Sequence, residues 1–213
     1  MQSVSEPIEA ASPVRRRGVF SAQMLREAIR DGIVEGSRPI LDSQVQPASL
    51  DLRLGSRAYR LRSSFLPGDS TVRDRLADLQ VGPEIDLDDP NGAVLDPGHP
   101  YLIPLVETLR LPPGTRARAN PRSSTGRLDI FTRVIADRGS QFDEVEAGYE
   151  GPLWLELYSS TFTIAVRSGL ALAQLRLSNG LEALTAAELR TLHDSEGLLF
   201  EPGAEPRARV GDP

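Results

Sequence analysis

The run Pro152-Leu153-Trp154-Leu155-Glu156-Leu157-Tyr158 alternates without a break. Successive side chains of a strand point to opposite sides, so Leu153, Leu155 and Leu157 share one face and Trp154, Glu156 and Tyr158 the other. Leu50, Leu52 and Leu54 alternate with Asp51 and Arg53 in the same way, as a half-buried strand closed by Gly55. Further strands are expected over 58–61, 101–106, 130–136, 162–166 and 170–177, the last two joined by a turn at Ser168-Gly169. Pro100 and Pro104 suggest a sheet edge or a bulge. Many short strands with turn signals and no strand–helix–strand rhythm indicate an all-β distorted barrel or jelly roll with short peripheral helices.

The helices expected are few. Ser21 caps one whose apolar stripe is Met24, Leu25, Ala28 and Ile29, ending at Gly32 and Gly36. Ser123 or Ser124 caps a single turn carrying Arg127 and Leu128. Thr185-Ala186-Ala187-Glu188 is a capping box opening a helix to about His193. Residues 63–98 read as a long excursion with one or two short strands, and 137–150 as a hairpin or mobile loop around Gly139 and Gly148. The domain is expected over 19–195, between a polar arm (1–18, with Arg15-Arg16-Arg17) and a Pro- and Gly-rich linker or end (196–213).

Composition removes several chemistries. The chain has no Cys and only His99 and His193, so neither a disulfide framework nor a His/Cys/Cys zinc site can be built. It has no Lys, so it has no P-loop; all 24 basic residues are Arg. A net charge of −6 argues against a broad nucleic-acid footprint. No apolar run is long enough to span a membrane, and the first residues lack the apolar core of a signal peptide. The cytoplasm is the expected compartment.

Against that acidic balance, five arginines stand between Arg118 and Arg138. Two of them enclose adjacent serines in Ala119-Asn120-Pro121-Arg122-Ser123-Ser124-Thr125-Gly126-Arg127. Guanidinium forks match phosphate oxygens bidentately, and Ser hydroxyls and turn N–H groups close on anions. The stretch reads either as a site for a polyanionic nucleotide or as a polar turn with solvated arginines. Glu156 reads either as a catalytic carboxylate between two aromatics or as a solvent-facing strand residue.

Several separated motifs, in order, decide between these readings. They are Gln46-Pro47-Ala48-Ser49-Leu50-Asp51-Leu52-Arg53-Leu54-Gly55, Arg122-Ser123-Ser124 with Arg127-Leu128, Ala136 with Arg138, Ala147-Gly148-Tyr149-Glu150-Gly151, and Leu155-Glu156-Leu157. Together they resemble the dCTP deaminase branch of the dUTPase-like superfamily. The resemblance implies a distorted β-barrel, assembled as a homotrimer with sites between subunits, that deaminates dCTP to dUTP and ammonia without zinc. It implies Glu156 as the proton-shuttling carboxylate, Arg138 and the Ala136 carbonyl as holders of the water, and Ser123 as a hydroxyl reaching the reacting centre. Arg122 and Ser124 would bind the triphosphate, with Mg²⁺ chelated mainly by the phosphates, and Arg127 would neutralise phosphate charge or hold the serine loop. Gln174 would lie near the pyrimidine and Tyr149 would stack on the sugar.

Two departures accompany the resemblance. The loop after Arg138 is longer than the family's, so Glu146 fills the place of an Asp that contacts the deoxyribose, with Asp143 as its rival. This leaves dUTP hydrolysis, or a bifunctional deaminase and diphosphatase, as an alternative. Residues 178–213 offer Arg207 and Arg209 but no closing segment of the single-domain type. The chain therefore also reads as the first half of a two-domain member, forming a pseudo-trimer with its second half, or as a non-catalytic binding or assembly half-domain. The remaining alternative is an interaction module whose arginines bind an acidic protein.

Overall fold

Leu153, Trp154, Leu155, Glu156 and Leu157 are all buried. The alternation of this strand therefore separates two apolar clusters, not a core from solvent. Leu153, Leu155 and Leu157 belong to the main core, while Trp154 packs with Leu61, Phe65, Val72, Leu76, Leu102 and Ile135 on the opposite face. The computed structural model describes residues 17–180 and 184–197, which fall into two compact units. Most of the expected arm, including Arg15 and Arg16, lies outside the described residues, as do Arg207 and Arg209. The end of that arm is a strand, since Gly18 pairs with Asn179.

In chain order the first unit contains β1 (Gly18–Val19), α1 (Ala22–Arg30), β2 (Val34–Gly36), a 3-10 turn (Asp42–Gln44), β3 (Leu50–Arg53), β4 (Arg57–Arg60), α2 (Val72–Leu79), β5 (Ile85–Asp86) and β6 (Ala93–Leu95). It continues with β7 (Pro100–Arg110), β8 (Thr115–Pro121), α3 (Ser123–Gly126), β9 (Ile130–Ala136), β10 (Glu144–Val145), β11 (Glu150–Ser159), β12 (Ile164–Val166) and β13 (Ala171–Asn179). The first sheet runs β1-β13-β8-β10 with β3 also on β13; the second runs β5-β4-β7-β11-β9 with β2 also on β7; β6 and β12 form a third pair. The arrangement is the expected distorted, barrel- or jelly-roll-like β type, with sheets that do not close. In the second unit, Thr185 caps α4 (Ala186–Glu196) through the expected box with Glu188, and Gly197 ends it at φ +62°.

Several expectations need correction. The excursion over 63–98 holds a helix, α2, besides β5 and β6. Its start is marked by Thr71, whose hydroxyl accepts from the Asp74 N–H while the Asp74 carboxylate accepts from the Thr71 N–H. Pro104 lies in an interior strand, because β7 has β11 on one side and β2 and β4 on the other. The other expectation, a bulge, holds: Pro104 pairs with Trp154 beside the register shift at Pro152/Trp154, and its carbonyl accepts the Gly55 N–H at 2.8 Å. A Cβ at Gly55 would stand 2.6 Å from the Pro104 carbonyl oxygen, so only glycine admits this close approach. The turn after Pro121 has Arg122 as its N-cap, without a side-chain cap, so neither serine serves as one.

β3 is buried on both faces, not half-buried. Its Arg53 donates from Nε to Glu107 Oε1 on β7 at 2.8 Å and from its backbone N–H to Oε2 at 2.8 Å. Gln44 Nε2 donates to the same Oε1 at 2.9 Å, and the remaining Arg53 nitrogens reach the Pro39 and Arg38 carbonyls. Glu107 has no exposed surface. Breaking a buried ion pair strands its partner, at a cost of about 3–5 kcal/mol. Glu107→Ala should lower stability by roughly that amount in urea denaturation, and a loss under about 1 kcal/mol would remove the pair from the frame of the fold.

Candidate active site

β9 and its flanks carry most of the chemistry-bearing side chains. β8 belongs to the first sheet and β9 to the second, so the chain crosses between sheets through Arg122, Ser123 and Ser124. It crosses back after Ala136, where Arg138 and Gly139 turn the chain toward β10. Two clefts result. One, beside α3, is lined by Arg122, Ser123, Ser124, Gln174, Asp51 and Arg176. The other, beyond the far end of β9, is lined by Ala136, Arg138, Glu146 and Tyr149 with their neighbours. Six residue steps of strand separate Ile130 from Ala136, roughly 20 Å. Most of the sequence candidates thus fall into two groups at opposite ends of one strand, with Glu156 opposite its middle. Arg127, the C-cap of α3, is exposed and lines neither cleft.

In the first cleft, Arg122 Nη1 lies 3.4 Å from Asp51 Oδ2, and its backbone N–H donates to the Leu172 carbonyl. Burial pushes the Asp51 carboxyl upward in pKa, while Arg122 and Gln46 pull it back. Ser49 donates to Gln174 Oε1 at 3.2 Å, which fixes that amide at the cleft wall. Ser123 and Ser124 are exposed. One half-exposed guanidinium and two hydroxyls form a donor set for anionic oxygens.

In the second cleft, Arg138 is exposed and holds a positive φ of +57°. Three bonds from the excursion steady this turn. Arg138 N–H donates to the Ser70 carbonyl at 3.0 Å, Gly68 N–H to the Gly139 carbonyl at 3.3 Å, and the N–H of Val72, first residue of α2, to Asp137 Oδ1 at 2.7 Å. The Ala136 carbonyl already accepts the Gly139 N–H at 3.1 Å, which leaves it one lone pair. Glu146 is exposed and 3.6 Å from Arg116. Its rival Asp143 does not line the cleft: Oδ1 accepts the Val134 N–H at 2.8 Å, and the Asp143 N–H donates to the Val134 carbonyl at 2.8 Å. Burial is the main influence on its carboxyl and raises its pKa.

Glu156 lines neither cleft. It sits mid-strand on the outer face of the second sheet, opposite Arg133 on β9 and Leu102 on β7. Only 2% of it is exposed. Arg133 Nη2 forms an ion pair with Oε1 at 2.9 Å, while Oε2 has no hydrogen-bond partner among the described residues. Trp154 Nε1, two residues back on the same face, is likewise unpartnered. Glu107 is equally buried yet accepts three bonds, so the two carboxylates differ in kind. A buried carboxylate oxygen without a donor is rare, which makes Glu156 a candidate for chemistry.

The family model described as 2'-deoxycytidine 5'-triphosphate deaminase (DCD) N-terminal domain matches residues 16–181. The chain belongs to the dCTP deaminase family. A protein named dCTP deaminase from Halorubrum lacusprofundi is 33% identical over 156 residues, covering 69% of this chain and 72% of that one. A protein named dCTP deaminase, dUMP-forming, from Sulfurihydrogenibium is 31% identical over 158 residues, covering 74% and 81%. The crystal structure of 2'-deoxycytidine 5'-triphosphate deaminase from Agrobacterium tumefaciens superposes with a TM-score of 0.75 at 46% identity. That match covers 85% of this chain and 54% of the other, so the chain spans about half the length of that relative.

Sequence reasoning missed Arg133 and Asp137. Arg133 faces Glu156 only in the β9–β11 register, and the long connection between those strands hides that register. Asp137 was visible only as a polar loop residue; what gives it a task is α2, which the sequence reading did not contain. Tyr149 was expected to stack on a sugar. Here its hydroxyl donates to the Pro152 carbonyl at 2.5 Å and accepts the Asp137 N–H at 3.2 Å, bracing the cleft wall. Burial, chiefly, pushes its pKa up to about 12. An unfolded Tyr ionises near 10, so the unfolded state loses its proton first. The stabilisation is complete below about pH 10 and disappears as pH climbs toward about 12. Tyr149→Phe should therefore flatten the fall in urea midpoint between about pH 9 and about pH 11.5; an unaltered fall would show that this hydroxyl is not the group responsible.

Proposed function

We propose that the chain deaminates dCTP to dUTP and ammonia, with Glu156 as the group that moves the protons. The observation that carries this reading is the unpartnered, buried Oε2 of Glu156, in a member of the dCTP deaminase family. In the proposed step, Oε2 takes a proton from water as its oxygen bonds to C4 of cytosine. That proton passes to N3, giving a tetrahedral carbon. The hydroxyl proton on C4 then moves through the same carboxylate to the amine, the C4–N bond breaks, and ammonia leaves as the carbonyl forms. One water is consumed per ammonia released, and the carboxylate ends as it began.

The other residues take supporting roles in this reading. Arg122 and Ser124 hold the triphosphate, Arg127 at the end of α3 adds positive charge nearby, Ser123 reaches the reacting centre, and Gln174 borders the pyrimidine. The second lone pair of the Ala136 carbonyl and the Arg138 guanidinium hold the water. Arg122 must exchange Asp51 for phosphate when the nucleotide enters. No group of three His, Asp or Glu side chains that could hold a metal occurs among the described residues. The donors around Arg122 suit phosphate oxygens better than a cation, so Mg²⁺ arrives chelated by the triphosphate. No described helix is long and apolar enough to cross a membrane, and a nucleotide of this kind puts the reaction in the cytoplasm.

The separation of the two clefts supports a site completed by a second copy of the chain, or by the other half of a longer protein. A strand of roughly 20 Å stands between the Ser123 end and the Arg138 end. A homotrimer, or a pseudo-trimer with a second half-domain, would bring the Ser123 end of one subunit to the Arg138 end of the next. A second reading rests on the relative named dUMP-forming and on Glu146 lining the cleft of Arg138. It gives dUMP and pyrophosphate as products.

Incubation with dCTP and Mg²⁺, with ammonia and pyrophosphate followed separately, tests both readings. Ammonia with dUTP accumulating is the expected result, and pyrophosphate in step with ammonia would establish the second reading. Glu156→Gln should still bind dCTP but turn over about 10²–10⁴-fold more slowly; turnover like that of the wild type would end the assignment. Mixing Glu156→Gln with Ser123→Ala should recover activity that neither has alone if subunits share the site. No recovery would confine the site to one chain.

A further inference from the structure

We propose that Arg133 is a positioning residue for Glu156, holding Oε1 so that Oε2 alone faces the reacting atoms. This rests on the reading of Glu156 as the proton-moving group. Arg133 and Glu156 are directly opposite across β9 and β11, and Nη2 and Oε1 are 2.9 Å apart. The guanidinium lies 4.3 Å from the centroid of the Phe142 ring, whose face attracts a cation. Phe142 is itself fixed, since its neighbour Asp143 exchanges two hydrogen bonds with Val134, the residue after Arg133. A loop, a ring and a strand together clamp one guanidinium against one oxygen of one carboxylate.

The contrast with Arg53 separates positioning from framework. Arg53 is nearly buried, and its Nε, Nη1 and Nη2 all donate, two of them to backbone carbonyls. Both oxygens of its partner are occupied. The Arg133 side chain is 43% exposed, and its partner keeps an oxygen unshared. A pair built only for stability would leave no buried acceptor empty, because such an atom costs free energy. With Oε1 tied, the carboxylate cannot rotate to present its oxygens alternately, and proton transfer runs through a fixed atom. Lys could supply one donor to Oε1, but its compact ammonium would not keep the contact of the guanidinium with the Phe142 ring.

The test compares ammonia release from dCTP, as kcat and KM, in wild type, Arg133→Ala, Arg133→Lys and Glu156→Gln, alongside thermal melting. Arg133→Ala should lose about 10–10²-fold in kcat, the scale on which a misplaced group is felt, with KM changed only a few-fold. Arg133→Lys should regain part of the loss. Millimolar guanidinium chloride added to Arg133→Ala should restore turnover in a saturable manner, since the gap opens to solvent; it should do nothing for Glu156→Gln. A kcat within twofold of wild type in Arg133→Ala would overturn the inference. So would a loss that neither Lys nor guanidinium repairs and that follows a fall in melting temperature. Full turnover in Glu156→Gln, or none in the wild type, removes the reading beneath the inference as well. An inactive Glu156→Gln beside a fully active Arg133→Ala removes Arg133 alone.

Discussion

The ion pair of Arg53 and Glu107 joins β3 of the first sheet to β7 of the second, and the geometry around it depends on that link. Two charges withdrawn from water are tolerable only when nearly every donor and acceptor is used. Here Gln44 and the carbonyls of residues 38 and 39 complete the set. The link fixes how far apart the sheets stand where β3 passes behind the cleft of Arg122. Asp51, two residues before Arg53, faces that arginine. A fold-level interaction and a cleft-lining one are thus carried by alternate positions of one four-residue strand.

β9 performs the corresponding task on the other side. Its two ends lie where the chain changes sheets, and such crossings expose side chains that a continuous ladder would bury. Its middle does the opposite. Ile135, with Trp154 opposite it on β11, packs against Val72 and Leu76 of α2, and Glu156 opposite Arg133 is buried. One strand thus borders two environments, an arginine- and serine-lined surface at its start and a buried carboxylate beside its middle. Two buried glutamates in neighbouring strands show how sharply such environments differ: Glu107 is saturated with donors, while Glu156 is not.

The fold class was legible because alternation and turn residues survive in the sequence. Leu153, Leu155 and Leu157 point to one core in the structure as they do on paper. What lay hidden was the second apolar layer, since Trp154 looks like an outer-face residue until α2 packs on it. The helix itself was masked by its polar content, although Thr71 and Asp74 carry a readable box. For the site, the motif residues could be named because each stands in a short local pattern. Arg133 and Asp137 stand in none; their tasks depend on strand register and on an element distant in sequence. A buried network such as Arg53 with Glu107 is also invisible in an alternating strand, where charged positions read as solvent-facing.

Asp143 has one more effect. By exchanging two hydrogen bonds with Val134, it pins the middle of the connection between β9 and β11 to the strand it has just left. The connection behaves as two short loops in series, each closed on its own. Loop-closure entropy grows slowly with length, and here each segment bears only its own share. Residues can therefore be gained or lost on either side of the pin without a shift reaching the opposite loop. The longer spacing of this chain between Arg138 and Tyr149 becomes a local matter: the cleft at Arg138 can be reshaped while Phe142 stays seated over Arg133.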